Sequence, residues 1–301
     1  MYLKHFGFKR LPFENTPDPI FFFMGDRYRK ILALLLHGIR SRKGLMCLTG
    51  PVGSGKTMIG AALKKHLSNK CLIIELPHPD VSRVELLTFI ARHLRIPVPP
   101  SDTLLLLGKI RKILVQLNSK NKYCLLIIDE AHLIKKSFFQ EILILSNLAT
   151  ADFKLIQILL IGQHELAETL TLKEMRQFMQ RLYVAETLCP MDRDHSLSYI
   201  AHRLAVGGGL IDIFLPETLD AIIQESGGLP RNINKLCDTS LLNAFVAGQL
   251  KVSCTDFQKT LRSQEKKYIR SDSELLKETN SVTWMSQLFS ALTRKVKNKL
   301  L

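Results

Sequence analysis

The chain has little of what membrane-spanning, secreted and zinc-binding proteins need. Its 301 residues hold no apolar run of about eighteen residues, the length that a helix needs to span a bilayer. The opening residues, MYLKHFGFKRLPF, lack the apolar core of a secretory signal. Six cysteines form no C-x-x-C pair and nine histidines form no H-E-x-x-H pattern. We therefore expect a cytoplasmic protein with reduced cysteines and with Mg²⁺ as its metal.

Acidic residues are also scarce: the chain has 27 Asp and Glu but 42 Lys and Arg, which gives a formal net charge of +15. The excess lies at the ends: residues 1–70 hold thirteen basic and three acidic residues, and residues 251–301 hold eleven and five. Two interpretations stay open, an ordinary solvated surface or a footprint for nucleic acid or anionic lipid. No base-reading motif is present, so sequence-specific DNA recognition is not supported.

One glycine-rich stretch stands out after the apolar run Leu45–Leu48. Residues 50–57, GPVGSGKT, fit G-x-x-x-x-G-K-[ST] and precede a helix-like segment that extends to about Leu67. Such a P-loop surrounds a polyphosphate with backbone N–H groups and with the positive end of a helix. The sequence predicts ATP binding, with Lys56 on the β- and γ-phosphates and the Thr57 hydroxyl on Mg²⁺. The predicted nucleotide-binding residues are Gly50, Pro51, Val52, Gly53, Ser54, Gly55, Lys56, Thr57 and Met58.

A second motif follows about seventy residues later. The apolar run Tyr123–Ile128 is typical of a strand that is buried on both faces, and it ends in Asp129 and Glu130. Carboxylates at the carboxyl end of a parallel strand lie where such sheets bind ligands. We predict that Asp129 holds Mg²⁺ and that Glu130 polarises the attacking water.

Strand-like and helix-like segments alternate as far as Cys189 and then give way to helices. The predicted strands are Leu45–Leu48, Cys71–Leu76, Tyr123–Ile128, Leu155–Ile161 and Tyr183–Leu188. The predicted helices include Arg83–Leu94, Thr103–Leu117 capped by Asp102, Phe138–Leu148 capped by Ser137, and, after Pro190, Ser196–Ala205, Pro216–Gln224, Arg231–Ala247 and Thr255–Tyr268. This order predicts an α/β fold, a P-loop NTPase with a parallel five-stranded sheet, helices on both faces and a small all-α lid.

Three regions follow from this pattern. Residues 1–190 form the nucleotide-binding domain, residues 191–270 form the lid, and residues 271–301 are a polar linker and a basic amphipathic helix. In the last segment, Trp284, Leu288 and Leu292 recur at helical spacing before a cluster of lysines. This helix either packs on its own chain or docks on a partner or an anionic membrane.

Several short motifs together resemble one family. They are Phe6-Gly7-Phe8, Pro12-Phe13, Thr16-Pro17-Asp18-Pro19, Gly162-Gln163, Gln180-Arg181-Leu182, Tyr199-Ile200 with Arg203-Leu204, and Gly228-Leu229-Pro230-Arg231. With the P-loop and the Asp-Glu pair, residues 1–262 resemble the AAA+ ATPases of the ExeA/general secretion pathway protein A family.

This resemblance implies roles for further residues. Gln163 would orient the attacking water and sense the γ-phosphate, and Arg231 would bring a guanidinium from the lid to the phosphates. Arg181 is similar to the family's arginine finger, which acts on a neighbouring subunit, and Arg176 is its rival. The segment Thr16–Pro19 would cover the adenine, whereas Phe21 to Phe23 are expected to pack in the core.

The chain also departs from the family. Secretion-associated members continue into a transmembrane helix and a peptidoglycan-binding domain, which this sequence does not contain. Ala185 stands where a second arginine is common, and His164 stands where proline is common. ATP chemistry is compatible with these differences, but a role in building a secretion channel does not follow from the resemblance.

Three functions are compatible with the sequence. The first is a homo-oligomeric Mg²⁺-dependent ATPase that drives assembly of a secretion or pilus apparatus through a protein partner, in the cytoplasm or peripherally at the inner membrane. The second is a DNA-associated ATPase that works with a transposase or other DNA-processing machinery and binds DNA without sequence preference. The third is a scaffold that binds ATP and hydrolyses it poorly, and Glu130 argues against it.

Overall fold

A computed structural model describes residues 2–16, 18–67, 70–97 and 102–261. The predicted linker and basic helix of residues 271–301 lie outside the described residues, as does the end of the last predicted lid helix. The described helices are α1 (Tyr2–Phe6), α2 (Asp26–Arg40), α3 (Lys56–His66), α4 (Arg83–His93), α5 (Thr103–Ser119), α6 (Phe138–Ser146), α7 (His164–Thr171), α8 (Arg176–Met179), α9 (Arg193–Gly207), α10 (Pro216–Ser226) and α11 (Pro230–Val246). Residues 254–261 are helical as well.

Five strands form one parallel sheet, as the sequence predicts. They are β1 (Leu45–Thr49), β2 (Cys71–Leu76), β3 (Tyr123–Ile128), β4 (Ile156–Gly162) and β5 (Leu182–Thr187), in the order β2-β3-β4-β1-β5. Every residue of β1, β3 and β4 is buried. Because the P-loop follows β1 and the Asp-Glu pair follows β3, with β4 between these strands, both motifs lie at the carboxyl edge of the sheet centre.

Helices cover both faces of this sheet. Alternate residues of β1 point to opposite sides, so Leu45 and Cys47 join one core and Met46 and Leu48 join the other. The first core lies under α4, α5, α6 and α7, and the second lies under α2 and α3. The predicted α/β class is therefore confirmed. All six cysteines are free thiols, and Cys47 and Cys124 are buried within strands.

The N-terminal caps of the helices agree in part with those predicted from the sequence. Asp102 caps α5 as predicted, because its carboxylate accepts hydrogen bonds from the backbone of Leu104 and Leu105. The predicted cap by Ser137 is wrong, since Ser137 has helical backbone angles and its side chain makes no capping bond. A capping box that was not predicted joins Ser82 and Glu85 at the start of α4.

A third core lies in the helical region after β5. It combines residues of α9, α10 and α11 with Tyr2, Phe8 and Phe13 from the beginning of the chain. Tyr2 donates a 2.5 Å hydrogen bond to Asp238, and the buried guanidinium of Arg203 donates to the carbonyls of Pro12 and Glu14. Residues 2–14 thus pack on the lid helices, and the division at residue 190 stays a prediction. No helix among the described residues is long and apolar enough to cross a membrane.

Candidate nucleotide-binding site

The P-loop connects β1 to α3 and is held from two sides. On the first side, the hydroxyl of Tyr28 in α2 donates a 2.8 Å hydrogen bond to the carbonyl of Ser54. On the second side, the backbone N–H of Arg231, in the first turn of α11, donates to the carbonyl of Gly53 at 3.2 Å. The buried hydroxyl of Ser54 has no hydrogen-bond partner within the described parts of the chain. The loop is therefore fixed by both the sheet domain and the lid.

Lys56 lies across the mouth of this loop. Its Nζ donates hydrogen bonds to the carbonyls of Gly50 and Pro51 at 2.8 and 2.9 Å. Burial lowers the pKa of Lys56, and the carboxylates of Glu130 and Asp129 act in the opposite direction. A half-buried ammonium held only by neutral carbonyls is well prepared to accept the oxygens of a polyphosphate.

The carboxyl end of β3 supplies two acidic side chains. One oxygen of Asp129 accepts a 2.8 Å hydrogen bond from the backbone N–H of Glu130. Burial raises the pKa of Asp129, although this hydrogen bond acts to lower it. The backbone of Glu130 is left-handed, with φ of +52°, which is strained for a residue with a side chain. The turn therefore directs the two carboxylates differently, with Asp129 partly buried and Glu130 exposed.

Glu130 belongs to a small polar cluster that spans two strand ends. The amide nitrogen of Gln163, at the end of β4, lies 3.4 Å from Glu130 Oε2 and 3.1 Å from His132 Nε2. His132 Nδ1 lies 3.4 Å from the same Glu130 oxygen. This last contact is not a hydrogen bond, and the buried Nδ1 has no hydrogen-bond partner among the described residues.

The lid reaches the P-loop through the beginning of α11. A side chain at Gly53 would approach Arg231 Cβ to 2.7 Å, and φ at Gly53 is +79°. Only glycine combines this backbone conformation with so close an approach. The Arg231 side chain itself is exposed and lines the same cleft as Lys56.

The opposite end of the cleft is built from the lid and the beginning of the chain. Tyr199 donates a 2.9 Å hydrogen bond to Asn234, whose amide lies 3.3 Å from Asn15 Oδ1. The Arg203 guanidinium lies 4.3 Å from the centre of the Phe21 ring. Phe21, Phe22 and Phe23 pack on their neighbours as expected, and they also line the cleft.

These parts surround one cleft that opens to solvent, with about 1120 Å³ of empty space when the solvent at its mouth is included. The predicted residues on its wall are Val52, Gly53, Gly55, Lys56, Thr57, Met58, Asp129, Glu130, Gln163 and Arg231. Thr57 and Asp129 offer hydroxyl and carboxylate oxygens, the donors that Mg²⁺ prefers. A partly buried carboxylate with a raised pKa is also a place where a cation stabilises the charged form. The donor set therefore fits Mg²⁺ held jointly by the protein and a polyphosphate.

Arg181 lies elsewhere. It directly precedes β5, at the amino edge of the sheet, and hydrogen-bonds to Asn147. Arg176, its rival, begins α8, and both side chains are exposed. The segment that leads to Arg181 is a 3₁₀ turn, Lys173–Met175, followed by α8. Neither arginine lines the cleft of its own chain.

Sequence reasoning missed several residues of the site. Tyr28 and Asn15 reach the cleft from segments far from either motif, and no local pattern marks them. His132 did carry a signal, because it follows Asp129, Glu130 and Ala131 directly and so shares their turn.

The comparisons with known proteins agree with this geometry. Residues 39–170 match the family model described as an AAA domain. General secretion pathway protein A of Aeromonas hydrophila is 32% identical over 97% of this chain. The chain spans about half of that protein's length, 52%.

Solved structures with similar folds include a Cdc6p protein and an ORC2 protein. The Cdc6p structure from Pyrobaculum aerophilum gives a TM-score of 0.61 at 18% identity, over 84% of this chain and 70% of that one. The Aeropyrum pernix ORC2 protein gives 0.57 at 18% identity, over 85% and 72%. At such identities the similarity shows the fold alone. Residues 39–170 are therefore similar to an AAA domain, and nearly the whole chain is similar to part of general secretion pathway protein A.

Proposed function

We propose that the chain binds ATP together with Mg²⁺ and hydrolyses it. The observation that carries this proposal is the convergence of a P-loop lysine, two strand-end carboxylates, a glutamine and a lid arginine on one cleft. The phosphates occupy the loop between β1 and α3, where backbone N–H groups and the helix N-terminus favour an anion. Lys56 Nζ exchanges its two carbonyl partners for phosphate oxygens. The base lies at the other end, near Asn15, Phe21 and Tyr199.

Hydrolysis requires groups that act on water as well as groups that hold phosphate. Mg²⁺, held by Thr57 and Asp129, neutralises charge on the phosphates when it is bound. Glu130 is the exposed carboxylate of the pair and accepts the proton of the attacking water. Gln163 touches Glu130 and orients the same water, and Arg231 stabilises the negative charge that develops on the γ-phosphate.

We further propose that the protein acts as a homo-oligomer that couples hydrolysis to the assembly of a partner complex. The similarity to general secretion pathway protein A supports an envelope or secretion apparatus as that partner, with the chain in the cytoplasm or at the inner membrane. Arg181, exposed and outside its own cleft, is the group that reaches a neighbouring subunit. A DNA-associated ATPase is the second candidate, and the excess of basic over acidic residues favours it.

The test compares two substitutions in the full chain. Lys56→Ala should abolish ATP binding, and Glu130→Gln should retain binding while kcat falls by about 10²-fold or more, the usual contribution of a positioned general base. Equilibrium binding of a fluorescent ATP analogue and phosphate release measure the two effects. Unchanged turnover in Glu130→Gln would remove this residue from the role of base.

A further inference from the structure

A basic surface lies at the amino edge of the sheet, away from the nucleotide cleft. It is formed by helix ends and loops that lead into β1, β2, β3 and β4, within the described residues 40–44, 65–67, 70, 118–122 and 149–155. Eight cationic side chains lie in these segments against one acidic residue, Asp152. We name this surface the basic edge; its cations are Arg40, Arg42, Lys43, Lys65, Lys70, Lys120, Lys122 and Lys154.

Contacts between the loops make the basic edge continuous. Arg40 donates a 3.0 Å hydrogen bond to the carbonyl of His66, which joins the first loop to the end of α3. Arg42 donates to Asn121 at 3.0 Å and also contacts Asn118, which joins the first loop to the third. The backbone N–H of Tyr123 donates to the carbonyl of Lys70 at 3.0 Å, which joins the second loop to the third.

Four cations of this surface have no acidic partner within the described residues. Arg40, Lys65, Lys120 and Lys122 are exposed, and no carboxylate of the described chain forms an ion pair with them. Like charges at such density repel one another and cost stability unless a polyanion offsets them. The surface is therefore complementary to a partner that carries many negative charges.

We propose that the basic edge binds the phosphate backbone of double-stranded DNA without reading its sequence. Four neighbouring strands span about 14 Å, because parallel strands lie about 4.8 Å apart. A duplex presents one phosphate per about 1.7 Å of axis when both strands are counted, hence about eight over this length, and only part of these face the edge, so its cations are sufficient to contact them. Asn118 and Asn121 add neutral groups of the kind that contact phosphate and sugar. The described parts of these loops are short and contain no helix that could enter a groove, so they suit contact with the phosphate backbone.

DNA fits this surface better than an anionic membrane. Stable binding to a bilayer needs apolar side chains that insert beside the cations. The exposed aromatic rings near the edge are Phe153 and Tyr183, and cations already cover them. Arg42 lies 5.0 Å from the centre of the Phe153 ring, and Lys43 lies 5.8 Å from that of Tyr183. DNA binding here would also leave the nucleotide cleft free, so this proposal stands apart from the proposed hydrolysis.

The experiment compares two triple variants of the full chain that have the same change in net charge. The edge variant carries Lys65→Glu, Lys120→Glu and Lys122→Glu, and the control carries Arg111→Glu, Lys112→Glu and Lys251→Glu, exposed cations outside the edge. Polarisation of fluorescein-labelled duplex DNA, measured without nucleotide between 50 and 200 mM salt, reports binding. Circular dichroism and thermal melting show that each variant is folded.

We expect the unmodified protein to lose affinity steeply with salt, by about 10³-fold for six phosphate contacts. The edge variant should bind more weakly, with a salt slope reduced by about three, whereas the control should keep most of the slope. Equal losses in the two variants, or no binding of the unmodified protein at 50 mM salt, would overturn the proposal. Binding to phosphatidylserine vesicles but not to DNA would overturn it too, as would loss of self-association in the edge variant alone.

Discussion

At the scale of single residues, His132 gives the site a link that neither sequence motif contains. The Gln163 amide nitrogen carries hydrogens, so His132 Nε2, 3.1 Å away, has to accept. The hydrogen of a neutral imidazole is then on Nδ1, which lies 3.4 Å from Glu130 Oε2. His132 thus hydrogen-bonds the proposed γ-phosphate sensor and lies beside the proposed base. We assign it a positioning role, since it does not line the cleft itself.

The role of His132 predicts different outcomes for two substitutions. His132→Ala should lower kcat for ATP on the order of tenfold, equivalent to about 1.4 kcal/mol, with little change in KM. His132→Asn should recover part of kcat, because its amide can donate from about the position of Nδ1. Steady-state phosphate release across ATP concentrations gives both constants. A lower melting temperature in both variants with unchanged kcat would mean that His132 only packs.

At the scale of helices and strands, the burial of the strands made the sheet predictable from the sequence. Helix caps and contacts between distant segments depend on the tertiary structure and were predicted less well. Each strand is a short apolar run, so its position could be read from composition, and β2 and β3 agree with the predicted bounds. Ser137 fitted the local pattern of a cap, but its own helical backbone places the side chain away from the first free N–H groups. Tyr28 lies 26 residues from Ser54, and no pattern in either segment indicates their contact.

The turn before α11 gives a prediction at this scale. Gly227 and Gly228 both have left-handed backbones, with φ of +58° and +69°. A side chain at Gly227 meets nothing within 4 Å, whereas one at Gly228 would lie 2.0 Å from the carbonyl oxygen of Met191. The two substitutions to alanine therefore differ mainly by a backbone clash.

Gly227→Ala should destabilise the protein by about 1 kcal/mol, the strain of a left-handed alanine. Gly228→Ala should cost clearly more, and it should also lower ATPase activity, because the shift moves Arg231 away from the P-loop. Denaturant unfolding and phosphate release, measured on both variants, check this. Equal free energies of unfolding for the two variants would show that the backbone around Met191 can shift without loss of stability.

At the scale of the whole molecule, the two edges of the sheet carry different chemistry. The carboxyl edge holds the cleft, with Asp129, Glu130 and the lid arginine, and the amino edge holds Arg181 as well as the basic edge. A single chain cannot bring Arg181 to its own cleft without refolding β5. Its proposed catalytic role therefore requires a second copy of the chain. The position of that copy could not be predicted from the sequence.

This requirement predicts complementation between two inactive variants. Lys56→Ala lacks ATP but keeps Arg181, and Arg181→Ala binds ATP but should turn it over about 10³-fold more slowly. If the arginine acts between subunits, mixing the two variants should restore part of the activity that each lacks, and the rate per subunit should rise with concentration. Arg176→Ala, mixed in the same way, identifies which arginine is responsible. If neither mixture exceeds the sum of its separate parts, hydrolysis is completed within one chain and assembly serves another purpose.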